Sequence, residues 1–267
     1  QYLSDLATSF TDGWIDWLEN RGKTSGAYSW GTYGVHPYVL MNYQGTLNDV
    51  FTLAHELGHA MHSFYSNKNQ EFVNSAYTIF VAEVASTLNE ALLMDDLLKK
   101  TTDPKRRAYL LNHYLEQFRG TVFRQTMFAE FEMIVHGKVG DGEALTAEQL
   151  SEIYYELNKK YFGDDIVVDE LIAMEWARIP HFYRPFYVYK YATGFSAAVS
   201  LAQQILEEGE PAVERYLEFL GSGGSDYPIN LLQRAGVDMS KPEPIIQAME
   251  VFAELLSELE QLAETEL

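Results

Sequence analysis

Cysteine is absent from the 267-residue sequence. That excludes a disulfide scaffold, a thiol nucleophile and any thiolate-ligated metal site. It suits a reducing compartment, so a cytoplasmic location is expected. Basic side chains are scarce: 19 Lys and Arg stand against 39 Asp and Glu, a formal net charge of −20. Nucleic acid and anionic membrane surfaces both need basic patches, so neither is expected as a partner. No apolar run approaches the ~20 residues of a membrane-spanning helix. What the chain has in quantity is apolar surface, with 47% hydrophobic and 14% aromatic residues. That is too much for a disordered chain and enough for a core that needs no staples. With no repeat and no linker-like stretch, residues 1–267 read as a single domain.

The periodicity is mostly helical. Leu3, Leu6, Phe10, Trp14, Trp17 and Leu18 recur at helical spacing over 1–20, with Gly13 inside that helix. Gln1 opens the chain on a helix already in progress, so a C-terminal piece of a longer protein is expected. Gly26, Gly31 and Gly34 among aromatics, then His36-Pro37 and Tyr38–Tyr43, read as two or three short strands within 26–43. Thr46 or Asn48 caps a buried helix running to about Ser66. A second helix covers about 75–99, and a third runs from Asp103-Pro104 to a stop at Gly137. Thr146-Ala-Glu-Gln149 has the capping-box pattern for a helix to about Phe162. Helix is expected over 170–179 and again over 181–204, perturbed by Pro185. Short helices near 211–220 and 228–235 and a last one over 242–262 complete the reading.

The chemistry sits first in His55-Glu56-Leu57-Gly58-His59. Histidines four residues apart lie one turn apart on one helix face, about 6 Å along the axis. Both imidazoles can then reach one zinc ion at ~2.0–2.1 Å. Glu56 is placed to take a proton from a metal-bound water rather than to bind the metal. Gly58 permits close approach of another element. A catalytic zinc needs a third protein ligand and an open fourth position. Glu83, 24 residues beyond His59, is a lone acid in an apolar helical stretch and is the candidate. The bland alternative is a glutamate at a helix-packing boundary. Glu90, two turns further on the same face, can accept from a ligand histidine's second nitrogen; otherwise it is a solvated glutamate. His62 is expected not to be a ligand.

A second constellation is His181-Phe-Tyr-Arg-Pro-Phe-Tyr187-Val-Tyr-Lys-Tyr191-Ala-Thr-Gly194. Tyr187 and Tyr191 are expected on one helix face. Histidine and tyrosine can stabilise the oxyanion that develops on an attacked carbonyl. Among 18 tyrosines, a cluster reads equally as core packing.

These segments, with Glu83-Val-Ala-Ser-Thr-Leu-Asn-Glu90, Ser25–Gly31 and His36-Pro37-Tyr38, resemble the oligoendopeptidase F group of the thimet-oligopeptidase-like zinc peptidases. The resemblance covers essentially the whole chain. It implies a mainly α, zincin-type catalytic domain with a small β element near 26–43. It implies one zinc ion on His55, His59 and Glu83, with Glu56 as general base and acid. His181 and Tyr191, with Tyr187 close behind, would polarise the scissile carbonyl. The strand around Gly26, Ala27 and Tyr28 would pair with substrate backbone. Substrates would be short unstructured peptides. The family's proteins are roughly twice this length, so an N-terminal half is the expected further partner.

The function expected is therefore metallo-endopeptidase cleavage of internal peptide bonds. The first alternative is a carboxypeptidase or dipeptidyl carboxypeptidase, with Arg178, Arg184 or Lys190 clamping a terminal carboxylate. The second is a zinc module that binds peptides without cutting them. A purely structural zinc fits least, because such sites usually have four protein ligands.

Overall fold

The computed structural model describes residues 1–265. Its residues group into two compact units, Gln1–Leu115 with Gly194–Leu267, and Glu116–Thr193. Each is described by itself.

The first unit opens with α1 (Tyr2–Thr11). The expected helix over 1–20 ends early because Gly13 adopts φ +76°, outside the helical region. Ile15–Asp16 then forms β1, with Tyr28–Trp30 as β2 and Tyr38–Leu40 as β3. The sheet order is β1-β3-β2, β1 parallel and β2 antiparallel to the central β3. Two of these strands fall inside the expected 26–43 segment. On one face, Val39 and Met41 pack against Leu57 and Ala60 of α2 (Leu47–Asn69).

Helix α2 starts where its sequence says it should. Thr46 Oγ1 accepts from the Asp49 amide at 3.3 Å, and Asp49 Oδ2 accepts from the Thr46 amide at 2.8 Å. The two bonds satisfy donors that a helix start otherwise leaves orphaned. Phe51, Leu57 and Met61 are buried along it, each worth about 1.5–3 kcal/mol of transfer free energy. Helix α3 (Ile79–Lys100) packs on α2. Helix α4 spans Pro104–Phe118. The later helices are α7 (Tyr189–Glu208), α8 (Glu210–Leu220), α9 (Pro228–Ala235) and α10 (Glu243–Thr265). Ser200 Oγ on α7 donates to Gln247 Oε1 on α10 at 2.6 Å, and Arg107 pairs with Glu258.

The second unit contains a π-helical turn (Arg119–Phe123), α5 (Arg124–Gly140) and α6 (Ala147–Phe162). Two 3₁₀ segments follow, Glu170–Arg178 and Pro180–Tyr183. Gly137 does not stop α5, which runs on to Gly140. Interior glycine costs only about 1 kcal/mol, whereas Gly142 at φ +90° ends the run outright. The Thr146–Gln149 capping box forms as expected. Phe128, Phe131, Tyr154, Leu157, Ile179 and Val188 make the core of this unit. Within it lies a carboxylate: Glu175 accepts from Tyr154 Oη at 2.6 Å and Arg124 at 2.7 Å, and pairs with Arg178. Burial by itself would raise its pKa. The hydrogen bonds from Tyr154 and Arg124, and the two guanidinium charges, hold it below the ordinary carboxylate value.

Among the described residues, no helix is long and apolar enough to cross a membrane.

Candidate metal centre

The site is built by two crossing helices. A Cβ on Gly58 would lie 2.5 Å from Ser86 Cα and 2.6 Å from the Ala85 carbonyl oxygen. Only glycine lets the α2 and α3 backbones approach this closely, and the crossing point sits between His55 and His59. Glu83 lies one turn before Ser86, so the crossing delivers its carboxylate to the histidine face of α2. Glu83 Oε2 stands 3.3 Å from His55 Nε2 and 3.5 Å from His59 Nε2. Gly194 on α7 faces the same residue, since a Cβ there would lie 3.4 Å from Glu83 Cβ.

These distances test the fit to a metal. Donors held ~2.0–2.1 Å from one tetrahedral zinc ion sit about 3.3–3.4 Å apart. The two His–Glu separations match that edge, and all three donor atoms lie within 4.8 Å of one another. Two nitrogen donors and one carboxylate are also the ligand types that zinc takes at sites keeping an open position. The residues therefore fit the ion that the sequence suggested.

The surroundings hold the donors in place. Glu90 Oε2 is 3.4 Å from His55 Nδ1, on the far side of the ring from Glu83. Ser86 Oγ donates to Glu83 Oε2 at 3.1 Å. The sequence analysis left Ser86 without a role, although a hydroxyl three residues after a candidate ligand on a helix was the available signal. Asn89 ties α3 back to α2 by donating to the Ala54 carbonyl at 3.1 Å. Burial by itself would lower the His55 pKa, but Glu83 and Glu90 outweigh it and push it up to about 10. Burial would likewise raise Glu83, and its bonds to His55 and His59 hold it far below the carboxylate range instead.

Glu56 is buried, with 7% exposure. Burial raises its pKa against the pull of His55 and His59. His62 is also buried, stacked on Tyr77 at 3.7 Å between ring centroids and close to Phe219. It is not among the donor atoms grouped with His55, His59 and Glu83.

In the second unit, His181, Tyr187 and Tyr191 form one aromatic cluster. Tyr187 stacks on His181 at 5.7 Å, and Tyr191 stands edge-on to both rings, 6.1 Å from His181 and 5.6 Å from Tyr187. The route to this cluster differs from the sequence expectation. After the 3₁₀ segment Pro180–Tyr183 the chain is not helical over 184–188, and α7 starts only at Tyr189. Pro185 supplies no amide, and Phe186 takes φ +57°. Tyr187 therefore reaches Tyr191 through a turn rather than along a helix face.

Of the three residues expected to bind substrate backbone, only Tyr28 is in a strand. Gly26 has φ +92° and Ala27 precedes the strand. Strand β2, at one edge of the sheet, covers Tyr28–Trp30 instead. The Gly26 carbonyl accepts from Asn42 Nδ2 at 2.9 Å. The three cations weighed as a carboxylate clamp are differently engaged. Arg178 pairs with Glu175, Lys190 lies over the Tyr187 ring at 5.2 Å, and Arg184 is exposed.

The sequence is 57% identical over 262 residues to oligopeptidase PepF of Bacillus subtilis (strain 168), covering 98% of this chain and 39% of that protein. It is 48% identical over 264 residues to the plasmid oligoendopeptidase F of Lactococcus lactis subsp. cremoris, covering 99% of this chain and 44% of that protein. A crystal structure of oligoendopeptidase-F from Enterococcus faecium aligns with a TM-score of 0.74 at 49% identity, over 82% of this chain and 40% of that one. A crystal structure from Chlamydophila abortus reaches 0.88 at 47% identity, over 98% of this chain and 44% of that one. The chain thus spans about two fifths of the length of the relatives it matches. The description of Peptidase family M3 matches residues 4–251, and with relatives this similar along nearly all of its length, the chain belongs to Peptidase family M3.

Proposed function

We propose that this chain carries the catalytic half of a zinc-dependent endopeptidase that hydrolyses internal bonds of short, unstructured peptides. The carrying observation is the donor set: Glu83 near tetrahedral-edge distance from both His55 and His59, all three donors within 4.8 Å of one another, with Glu56 buried on the same helix. His55, His59 and Glu83 would hold one zinc ion. Bound zinc supplies Lewis acidity toward water and toward a carbonyl oxygen.

The chain's own residues do the rest. The Glu56 carboxylate takes a proton from the attacking water and returns it to the departing amine, a role for which a pKa raised by burial is suited. Glu90 orients His55 through Nδ1, and Ser86 fixes the carboxylate of Glu83. His181 and Tyr191, with Tyr187 beside them, donate hydrogen bonds to the developing oxyanion. The edge of β2 offers unpaired backbone groups for an extended peptide. A cytoplasmic location and an N-terminal half in the same polypeptide belong to the same reading. So does a single catalytic domain.

The test is incubation of the zinc-loaded protein with end-blocked and free peptides of graded length, with and without a chelator, read by mass spectrometry. Internal, chelator-sensitive cuts in end-blocked peptides are expected. Cuts confined to free C-termini would assign a carboxypeptidase instead. Tight zinc and peptide binding without any cut would assign a peptide-binding module.

A further inference from the structure

Phe186 is the one non-glycine residue with positive φ among the described residues, at +57°. Such a conformation costs a bulky residue on the order of 1–3 kcal/mol and persists only where the surroundings impose it. Here two residues of α5, one turn apart, impose it. Glu132 Oε1 accepts from the Phe186 amide at 2.9 Å. His136 packs its ring against the Phe186 ring at 4.9 Å.

Glu132 makes one hydrogen bond, and only the charges of His136 and Lys190 otherwise favour its carboxylate there. It is 3% exposed, and its second oxygen, Oε2, has no hydrogen-bond partner. Burying a carboxyl group so sparsely satisfied is costly. Its single bond goes to the strained amide.

The turn it grips lies inside the aromatic cluster. Pro185 precedes Phe186 and has no amide to contribute. Tyr187 follows directly and stacks on His181, Val188 is buried at 1% exposure, and Tyr191 stands against both rings. If Phe186 relaxed to negative φ, the chain direction at Tyr187 would change and the His181–Tyr187–Tyr191 arrangement would be lost.

We infer that Glu132 is a positioning residue: it clamps the Phe186 amide and so holds His181, Tyr187 and Tyr191 in the arrangement that the reaction uses. The catalytic half of this inference rests on the function proposed above. The clamp itself rests on geometry alone.

The experiment uses three variants of the clamp, with His181→Ala and Tyr191→Phe as a check on the cluster, in the zinc-loaded, full-length protein. Glu132→Met keeps volume and burial but removes the acceptor. Glu132→Gln keeps an acceptor oxygen for the Phe186 amide. Phe186→Gly, combined with Glu132→Met, lets the turn form without a clamp because glycine adopts positive φ freely. Hydrogen exchange at the Phe186 amide is read alongside kcat, KM and zinc content.

Glu132→Met is expected to speed exchange at Phe186 at least ~10-fold. It should lower kcat by ~10- to 100-fold at unchanged zinc content, the cost of an ångström-scale misplacement. KM should move much less. Glu132→Gln should stay near wild type, and Phe186→Gly should recover part of the lost kcat. Unchanged exchange at Phe186 in Glu132→Met would overturn the clamp. Faster exchange with wild-type kcat would overturn its catalytic role. Wild-type kcat in both His181→Ala and Tyr191→Phe would instead overturn the proposed role of the cluster, while the exchange still reads the clamp.

Discussion

Replacing Gly58 by alanine separates two effects of opposite sign. In an exposed helix interior the change would stabilise by about 1 kcal/mol, since alanine restricts the unfolded chain and favours the helix. At this crossing the new methyl would lie 2.5 Å from Ser86 Cα, whereas ordinary contact begins at 3.4 Å. The helices must part locally by about 0.9 Å, the difference between those distances. The colliding atoms are backbone, so no side chain can swing away. Overpacking of that kind costs ~3 kcal/mol, leaving a net loss of ~2 kcal/mol and a Tm lower by ~4–8 °C for a chain of this size. The same displacement acts on Glu83. Metal–ligand distances tolerate about ±0.2 Å, so a shift of this size takes its oxygen out of a shared coordination sphere. Zinc affinity is expected to fall at least ~100-fold, the upper end of what removing an orienting partner does. Thermal melts in chelator and zinc competition against a chromogenic chelator measure the two effects. A Gly58→Ala protein with raised Tm and wild-type zinc affinity would refute the close-crossing argument.

Glu56→Gln keeps the shape but cannot shuttle a proton; it should retain zinc by metal analysis and lose at least ~10²-fold in kcat, so wild-type turnover would end its role as base. Arg124→Met strips the buried Glu175 carboxylate of one guanidinium and should cost ~3 kcal/mol in denaturant melts. That loss depends on pH in a defined direction. Because Glu175 titrates below its ordinary value in the folded chain, its contribution is complete above the unfolded carboxylate pKa of ~4.3. It disappears as pH falls through the lowered folded value, so wild type and variant should converge in acid.

The candidate ligands were legible in the sequence because both constraints on them are local. His55 and His59 share a face by helical period alone, and Glu83 is the lone acid in an apolar stretch of α3. The capping boxes at Thr46 and Thr146 were legible for the same reason, since each involves only four consecutive positions. The ends of α1 and the course of 181–188 were not. Periodic leucines and aromatics continue past Gly13, but the helix does not, because nothing in an apolar pattern reports a positive φ. Likewise Tyr187 and Tyr191 are four residues apart and touch, yet by way of a turn and not a helix face. Glu132 was invisible because its partner, a backbone amide 54 positions away, is not encoded in any spacing; Ser86, three residues after Glu83 on the same helix, left a local signal that went unused.

The sequence by itself determined which chemistry the chain has the side chains for: which residues are candidate metal donors, which acid is the candidate proton carrier, and, through cysteine's absence, which chemistries are closed to it. Residue type and helical period suffice for that. Tertiary structure alone decided whether those groups meet. A glycine at one helix crossing brings Glu83 to 3.3 Å from His55, and a buried glutamate holds the strained turn of the His181 cluster. Both depend on distances between segments remote in the chain, which packing sets and sequence order does not.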